Sequence, residues 1–185
     1  MKITSGEYAG IPLFTPKNQD IRPTLSKTRQ AVFNMLRAGL PGSVCVDTFS
    51  GTGAFGFEAI SNGAEKSYMI DLESRELILR NAAKLKVPKE KYELINSDFE
   101  SAMERLSKRG VKADYIFADP PYNRGFNIKL LKNKALSDIL KDDGTFVLES
   151  HRDEMKETLE ALGKWAVYKE KKYGDAYILL MKKEP

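Results

Sequence analysis

The sequence predicts an α/β protein: a mostly parallel sheet with helices on both faces, an antiparallel edge, and a small hairpin and helix at the N terminus. Three observations predict it. Beyond residue 42, strand-like apolar runs alternate five times with amphipathic helical stretches, the pattern of a parallel sheet covered on both sides. The tail changes character, with two extended runs joined by Tyr173-Gly174-Asp175, which reads as an antiparallel pair at a sheet edge. The chain has 185 residues, enough for one domain to bury a full core.

Each element has its own local signal. Residues 2–8 and 11–15 are short extended runs separated by Ala9-Gly10 and closed by Pro16, a hairpin pattern. From Thr24, Leu25, Val32 and Met35/Leu36 recur at helical spacing until Gly39 and Pro41 stop the run. Strands are expected at residues 44–49, 66–71, 92–97, 113–118 and 144–150, with helices at 54–62, 73–86, 99–108, 126–140 and 153–162. Residues 165–172 and 176–181 form the edge pair. The only boundary falls near Pro41-Gly42, dividing an extension of residues 1–42 from a body of residues 43–185.

Composition excludes several kinds of site. One cysteine, Cys45, and one histidine, His151, leave no intrachain disulfide, no Cys/His zinc cluster and no site needing two histidines. No metal is expected. No apolar run reaches the length of a membrane span and the start lacks the apolar core of a secretory signal, so a soluble, cytoplasmic protein without membrane partners is expected. The net charge is +4, and all of it lies in residues 1–43, which hold six basic side chains against two acidic ones. Such asymmetry suits a basic surface that meets a polyanion, attached to a neutral body, or a merely solvated basic surface.

Two motifs carry chemistry. In Asp47-Thr48-Phe49-Ser50-Gly51-Thr52-Gly53-Ala54-Phe55-Gly56 a strand ends in a glycine turn that opens a helix, and Asp71 closes the next strand 20 residues after Gly51. Glycines let backbone approach a ligand, and an acid at the second strand tip suits ribose hydroxyls. The pattern also satisfies a dinucleotide fingerprint. Asp47 favours S-adenosylmethionine, because a carboxylate there repels a pyrophosphate yet suits an ammonium group. After the third strand, Asp98 and Phe99 suit an adenine amine and ring, although an Asp at such a junction equally suits a helix cap.

The second motif is Asp119-Pro120-Pro121-Tyr122, directly after the apolar run Tyr115-Ile116-Phe117-Ala118. Two prolines stiffen the loop and remove two donors, leaving carbonyl oxygens between a carboxylate and an aromatic face. These are the parts needed to hold a planar base by its exocyclic amine, with Asp119 and the Pro120 carbonyl accepting from N–H and Tyr122 stacking on the ring.

With these residues the chain resembles the S-adenosylmethionine-dependent methyltransferases that act on exocyclic amines. More narrowly, it is similar over nearly its full length to the bacterial small-subunit ribosomal RNA guanine-N2 methyltransferase family. The matching residues include 3–10, Arg22-Pro23-Thr24, Arg29, Phe33-Asn34, Phe49 to Gly53, Glu58-Ala59, Gly63-Ala64, Asp119 to Tyr122 and Tyr173-Gly174-Asp175. The resemblance implies a seven-stranded Rossmann-like methyltransferase fold, N2-methylguanosine in 16S ribosomal RNA as product, and a monomer. It implies a cofactor site of Asp47, Phe49, Ser50, Gly51, Thr52, Gly53, Asp71, Leu72, Asp98 and Phe99, and a catalytic site of Asp119, Pro120, Pro121 and Tyr122. Arg22, Thr24, Lys27, Arg29 and Arg124 are expected to meet ribosomal RNA, free or in an assembling small subunit, with Arg22, Lys27 and Arg29 serving as phosphate contacts or ordering the loop over the cofactor. The amine loop does not distinguish guanine N2 from adenine N6, so an N6-adenine methyltransferase stays open, as do a nicotinamide-dependent oxidoreductase and a non-enzymatic RNA-binding module.

Overall fold

The computed structural model describes residues 1–16 and 23–184. Its centre is a seven-stranded sheet of β1 (Val44–Asp47), β2 (Lys66–Ile70), β3 (Tyr92–Ile95), β4 (Ala113–Ala118), β5 (Leu140–His151), β6 (Trp165–Tyr173) and β7 (Ala176–Lys183). Their order is β3-β2-β1-β4-β5-β7-β6. The first five are parallel, β7 runs antiparallel to β5, and β6 runs antiparallel to β7.

Strand period decides which helices cover which face. Val46, Ile116, Phe146, Leu148 and Leu179 join one apolar cluster with α4 (Phe99–Lys108), α5 (Phe126–Lys132), α6 (Lys134–Ile139) and α7 (Met155–Glu160). Their sequence neighbours Cys45, Phe117, Val147, Ile178 and Leu180 point the other way, against Val32, Phe33 and Leu36 of α1 (Pro23–Leu36). On that second side α2 (Ala54–Ser61) and α3 (Arg75–Leu85) enclose Phe57, Ile78 and Leu85 with Met69. The sheet is thus covered on both faces.

The N-terminal run shares that core, since Ile3, Tyr8 and Leu13 pack with Phe57 and Ile78. The two arms of the expected hairpin are joined by an antiparallel bridge, Lys2 to Pro12, and by backbone bonds from Ile3 N–H to the Ile11 carbonyl and from Leu13 N–H to the Met1 carbonyl, both at 3.0 Å, although neither arm forms a regular strand. The run is also held by α2: Glu7 N–H donates to the Ser61 carbonyl at 2.8 Å and Tyr8 N–H to Ser61 Oγ at 2.9 Å. Gly6 (φ +80°) permits this approach, because a Cβ there would strike the Ser61 carbonyl.

Two further boundaries differ from expectation. The helix expected over 126–140 is two helices, because Asn133 takes an extended backbone (ψ 114°) and caps α6 by accepting from Leu136 N–H at 2.8 Å. Leu140 then already belongs to β5, four residues before the expected strand start. Among the described residues no helix is long and apolar enough to cross a membrane.

Because β2 and β4 flank β1, the chain leaves β1 in one direction and returns on its other side. Such a switch point opens a crevice at the carboxyl ends of the strands. Both sequence motifs lie there.

Candidate active site

β1 is buried through Asp47, and the chain then turns sharply: Gly53 N–H donates to the Ser50 carbonyl at 2.6 Å before α2 begins. Gly51 (φ +51°) and Gly53 (φ +80°) hold left-handed conformations, and at Gly53 a Cβ would lie 2.5 Å from the Phe57 ring. Gly56 serves the packing, since a Cβ there would sit 2.5 Å from Met69 Cε on β2. Asp71 binds this turn to the next one. Its Oδ2 accepts from Gly51 N–H at 2.8 Å, while Oδ1 accepts from Ser74 N–H at 2.7 Å and Glu73 N–H at 2.9 Å.

The crevice has a volume of about 900 Å³ and is lined by Phe49, Ser50, Gly51, Thr52, Asp71, Leu72, Asp98, Phe99, Asp119, Pro120, Pro121, Tyr122 and Arg124, all expected site residues. One wall is aromatic: Phe49 lies 5.5 Å from Phe99 and 5.2 Å from Phe126, ring centre to ring centre. Leu72 stands 63% exposed at the same mouth. Asp98 caps α4, accepting from Ser101 N–H at 2.9 Å, and that bond holds its carboxyl below the usual range.

The opposite end of the crevice is acidic. Asp119 follows β4 directly, and burial, then Glu149, then Asp47 push its carboxyl well above the ordinary carboxylate value, opposed by Arg29. Tyr122 donates to Glu149 Oε1 at 2.6 Å and its ring centre lies 5.1 Å from that of His151. Glu149 is raised as well, by burial, with the Tyr122 bond opposing. The loop leaves this corner through two left-handed residues, Asn123 (φ 58°) and Gly125 (φ 67°), before α5.

Several expected residues sit elsewhere. Asp47 and Gly53 are not on the crevice wall. The Asp47 carboxylate is 2% exposed and turns into α2, where Oδ2 accepts from Gly56 N–H at 3.2 Å. Burial pushes it up to about 7. Arg29 does line the crevice, but not as an exposed phosphate contact: it is 1% exposed, its Nε pairs with Glu58 Oε2 at 3.3 Å and its guanidinium donates to the Lys2 carbonyl at 2.7 Å. Its apolar surroundings and a buried partner decide this, since an unpaired buried guanidinium costs far more than an exposed one. Lys27 is exposed on α1 and away from the crevice lining. Arg22 and the Thr24 side chain lie outside the described residues.

Three functional side chains escaped sequence reasoning. Phe126 completes the aromatic wall, Glu149 faces the crevice beside Asp119, and Glu58 gathers the N terminus. Glu58 Oε1 accepts from Thr4 Oγ1 at 2.5 Å and Ser5 N–H at 2.8 Å, and both its oxygens accept from Thr4 N–H at 3.0 Å. The available signals were a lone acid in the apolar run 145–150 for Glu149 and a charge inside the otherwise apolar α2 for Glu58. No group of three or more His, Cys, Asp or Glu able to hold a metal occurs among the described residues.

Residues 1–182 match the family described as "Conserved hypothetical protein 95". The "Ribosomal RNA small subunit methyltransferase D" of Escherichia coli K12 is 30% identical over 190 residues, covering all of this chain and 90% of the relative. The "Putative rRNA methyltransferase YlbH" of Bacillus subtilis is 29% identical, with 99% of each chain covered. Among solved structures, a putative methyltransferase from Escherichia coli superposes with a TM-score of 0.80 at 28% identity, covering 100% of this chain and 98% of that one. With the glycine turn, the Asp-Pro-Pro-Tyr corner and the strand order already in place, these matches make the chain a member of the small-subunit ribosomal RNA methyltransferase family, with its Rossmann-like α/β fold.

Proposed function

We propose that the protein transfers a methyl group from S-adenosylmethionine to the exocyclic N2 amine of a guanine in 16S ribosomal RNA. The observation that carries this reading is the Asp119 to Tyr122 corner at the end of β4, opening into the same crevice as the glycine turn. The crevice fits the cofactor. Phe49, Phe99, Phe126 and Leu72 offer an apolar slot for an adenine, Asp71 sits at the second strand tip where ribose hydroxyls are held, and Asp98 lines the crevice as an acceptor for the adenine amine. A bound S-adenosylmethionine supplies a sulfonium that carries both the methyl group and its own leaving group, so the protein's work is positioning and charge compensation.

The acidic corner does that work. An aromatic amine is a poor nucleophile because its lone pair is delocalised into the ring. Hydrogen bonds from its N–H groups to Asp119 and the Pro120 carbonyl would hold the amine with its lone pair turned toward the donor. Tyr122, fixed by its bond to Glu149, offers the stacking face. Positive charge develops on nitrogen as the bond forms, and the half-buried Asp119 carboxylate at the end of β4 is placed to balance that charge and to receive the departing proton.

For RNA, Arg124 at the crevice mouth and Lys27 on α1 are the exposed cations of the expected set. Residues 1–42 are proposed to present the substrate to the body of residues 43–185, the enzyme acting as a cytoplasmic monomer. Phosphate contacts supply affinity without sequence choice, and the base must leave its stack to reach Asp119. The test is transfer of labelled methyl from S-adenosylmethionine to unmodified small ribosomal subunits, followed by digestion to nucleosides. Label in N2-methylguanosine supports the reading, whereas label in N6-methyladenosine would replace guanine by adenine as the target.

A further inference from the structure

The corner contains more acid than an amine alone requires. β4 and β5 are parallel with Ala118 opposite Leu148, so the next residues, Asp119 and Glu149, stand side by side at the same end of the sheet, and both line the crevice. Glu149 is 2% exposed, yet among the described residues its carboxylate makes one hydrogen bond, from Tyr122 to Oε1. The other oxygen accepts from no further described residue, on a side chain that lines the crevice. Arg29, on the same wall, is committed to Glu58 and the Lys2 carbonyl. Two adjacent carboxylate acceptors therefore await a partner with two adjacent donors.

Nucleobases differ at that point. Beside its exocyclic N2 amine, guanine carries N1–H, so its edge presents two donors pointing the same way. Beside its N6 amine, adenine carries an unprotonated N1, so its edge presents a donor and an acceptor. Resting on the guanine-N2 reading above, we propose that Glu149 accepts the N1–H of the target guanine while Asp119 and the Pro120 carbonyl hold the N2 amine, which makes Glu149 the residue that selects guanine. Adenine would set its N1 lone pair against the Glu149 carboxylate, leaving both acceptors unmet and mutually repelled. Tyr122 contributes by fixing one oxygen of Glu149, so that the other is held toward the base.

The proposal is tested with a base that keeps the reacting amine and loses N1–H together with the 6-oxo group, so that the Glu149 variant identifies which loss matters. Small subunits are reconstituted with RNA carrying guanine or 2-aminopurine at the position that the transfer assay labels, and kcat/KM is measured for the wild-type protein, Glu149→Gln and Tyr122→Phe. The wild type is expected to prefer guanine by about 100-fold, the worth of a hydrogen bond to a charged acceptor. A glutamine amide can turn either its oxygen or its NH₂ toward N1. Glu149→Gln should therefore lose rate on guanine and bring the preference within about tenfold, while Tyr122→Phe lowers both rates and keeps most of the preference. A wild-type preference under about threefold overturns the proposal whatever the variants do, and so does a Glu149→Gln protein that slows equally on both bases. Label in N6-methyladenosine from the wild type defeats the guanine-N2 reading itself, and the assignment of Glu149 with it. Label in N2-methylguanosine with equal use of 2-aminopurine defeats the assignment alone.

Discussion

Asp47 separates two accounts of the glycine turn, and stability as a function of pH reads the difference. If its carboxylate works as a fixed brace under α2, burial raises it from 3.8 to about 7, and the folded state then holds a proton that the unfolded chain has released. A carboxyl raised by folding contributes stability below its unfolded value and loses it as pH rises through the folded one, here between about pH 4 and 7. Linkage with those two values makes the ionisation penalty about 2 kcal/mol at pH 5 and about 4 kcal/mol at pH 8. Asp47→Asn keeps an oxygen for Gly56 N–H and removes the titration. Relative to wild type, the variant should therefore gain about 2–3 kcal/mol between pH 5 and pH 8, a change of about 5–10 °C in the difference between their melting temperatures. Asp119 and Glu149 titrate in both proteins, and in the variant Asp119 loses the push of the Asp47 charge, which adds to the gain in the same direction. Scanning calorimetry of both proteins at four pH values, with titration of S-adenosylmethionine at pH 8, decides the matter. A constant difference in melting temperature, with cofactor affinity lost in Asp47→Asn, would refute the brace and restore the carboxylate as the anchor of the cofactor ammonium.

Other perturbations follow from named contacts. Glu58→Ala leaves the Arg29 guanidinium buried without its partner and frees residues 4–5, and should cost about 3–5 kcal/mol, or about 6–20 °C in a thermal melt; an unchanged melt would mean that the pair is dispensable. Asp119→Ala should abolish methyl transfer while calorimetry finds cofactor affinity within about threefold of wild type; retained turnover would remove Asp119 from the chemistry. Arg124→Ala should weaken RNA binding and lower the slope of log K against log salt by about 0.7–0.9, the contribution of one phosphate contact. A slope unchanged by that variant would place the RNA backbone elsewhere.

What was legible in the sequence is what depends on local pattern. Apolar runs of sheet length alternating with helical periodicity placed all seven strands, and the run Ala113 to Ala118 was found at its observed bounds because Lys112 and Asp119 bracket it in polarity. The break at Asn133 was legible in principle, since an Asn that caps its own helix also ends the one before it, but the continuous apolar stripe masked it. The burial of Arg29 was not legible because a count of charges carries no depth. What buries it is Glu58, 29 residues on, and what buries Glu58 is the backbone of Thr4 and Ser5 on the far side of the chain. Glu149 stayed hidden for a related reason: its meaning comes from the β4–β5 register that sets it beside Asp119, and register belongs to the folded sheet.

The same pairing explains how a basic protein can keep an acidic crevice. Arg29 is the cation on that wall nearest Asp119 in effect, yet Glu58 already balances its charge, so Arg29 tempers the Asp119 and Glu149 corner without neutralising it. Within the proposed function this division has a consequence for how RNA enters. A crevice with net negative charge attracts a sulfonium and the positive charge that grows on an attacked amine, and it repels phosphate. The ribose-phosphate chain must therefore stay outside, on cations such as Arg124 and Lys27, while a single base crosses into the acid corner. Base extraction is then a requirement of the charge pattern as well as of reach, because a stacked base cannot enter without bringing its phosphates with it.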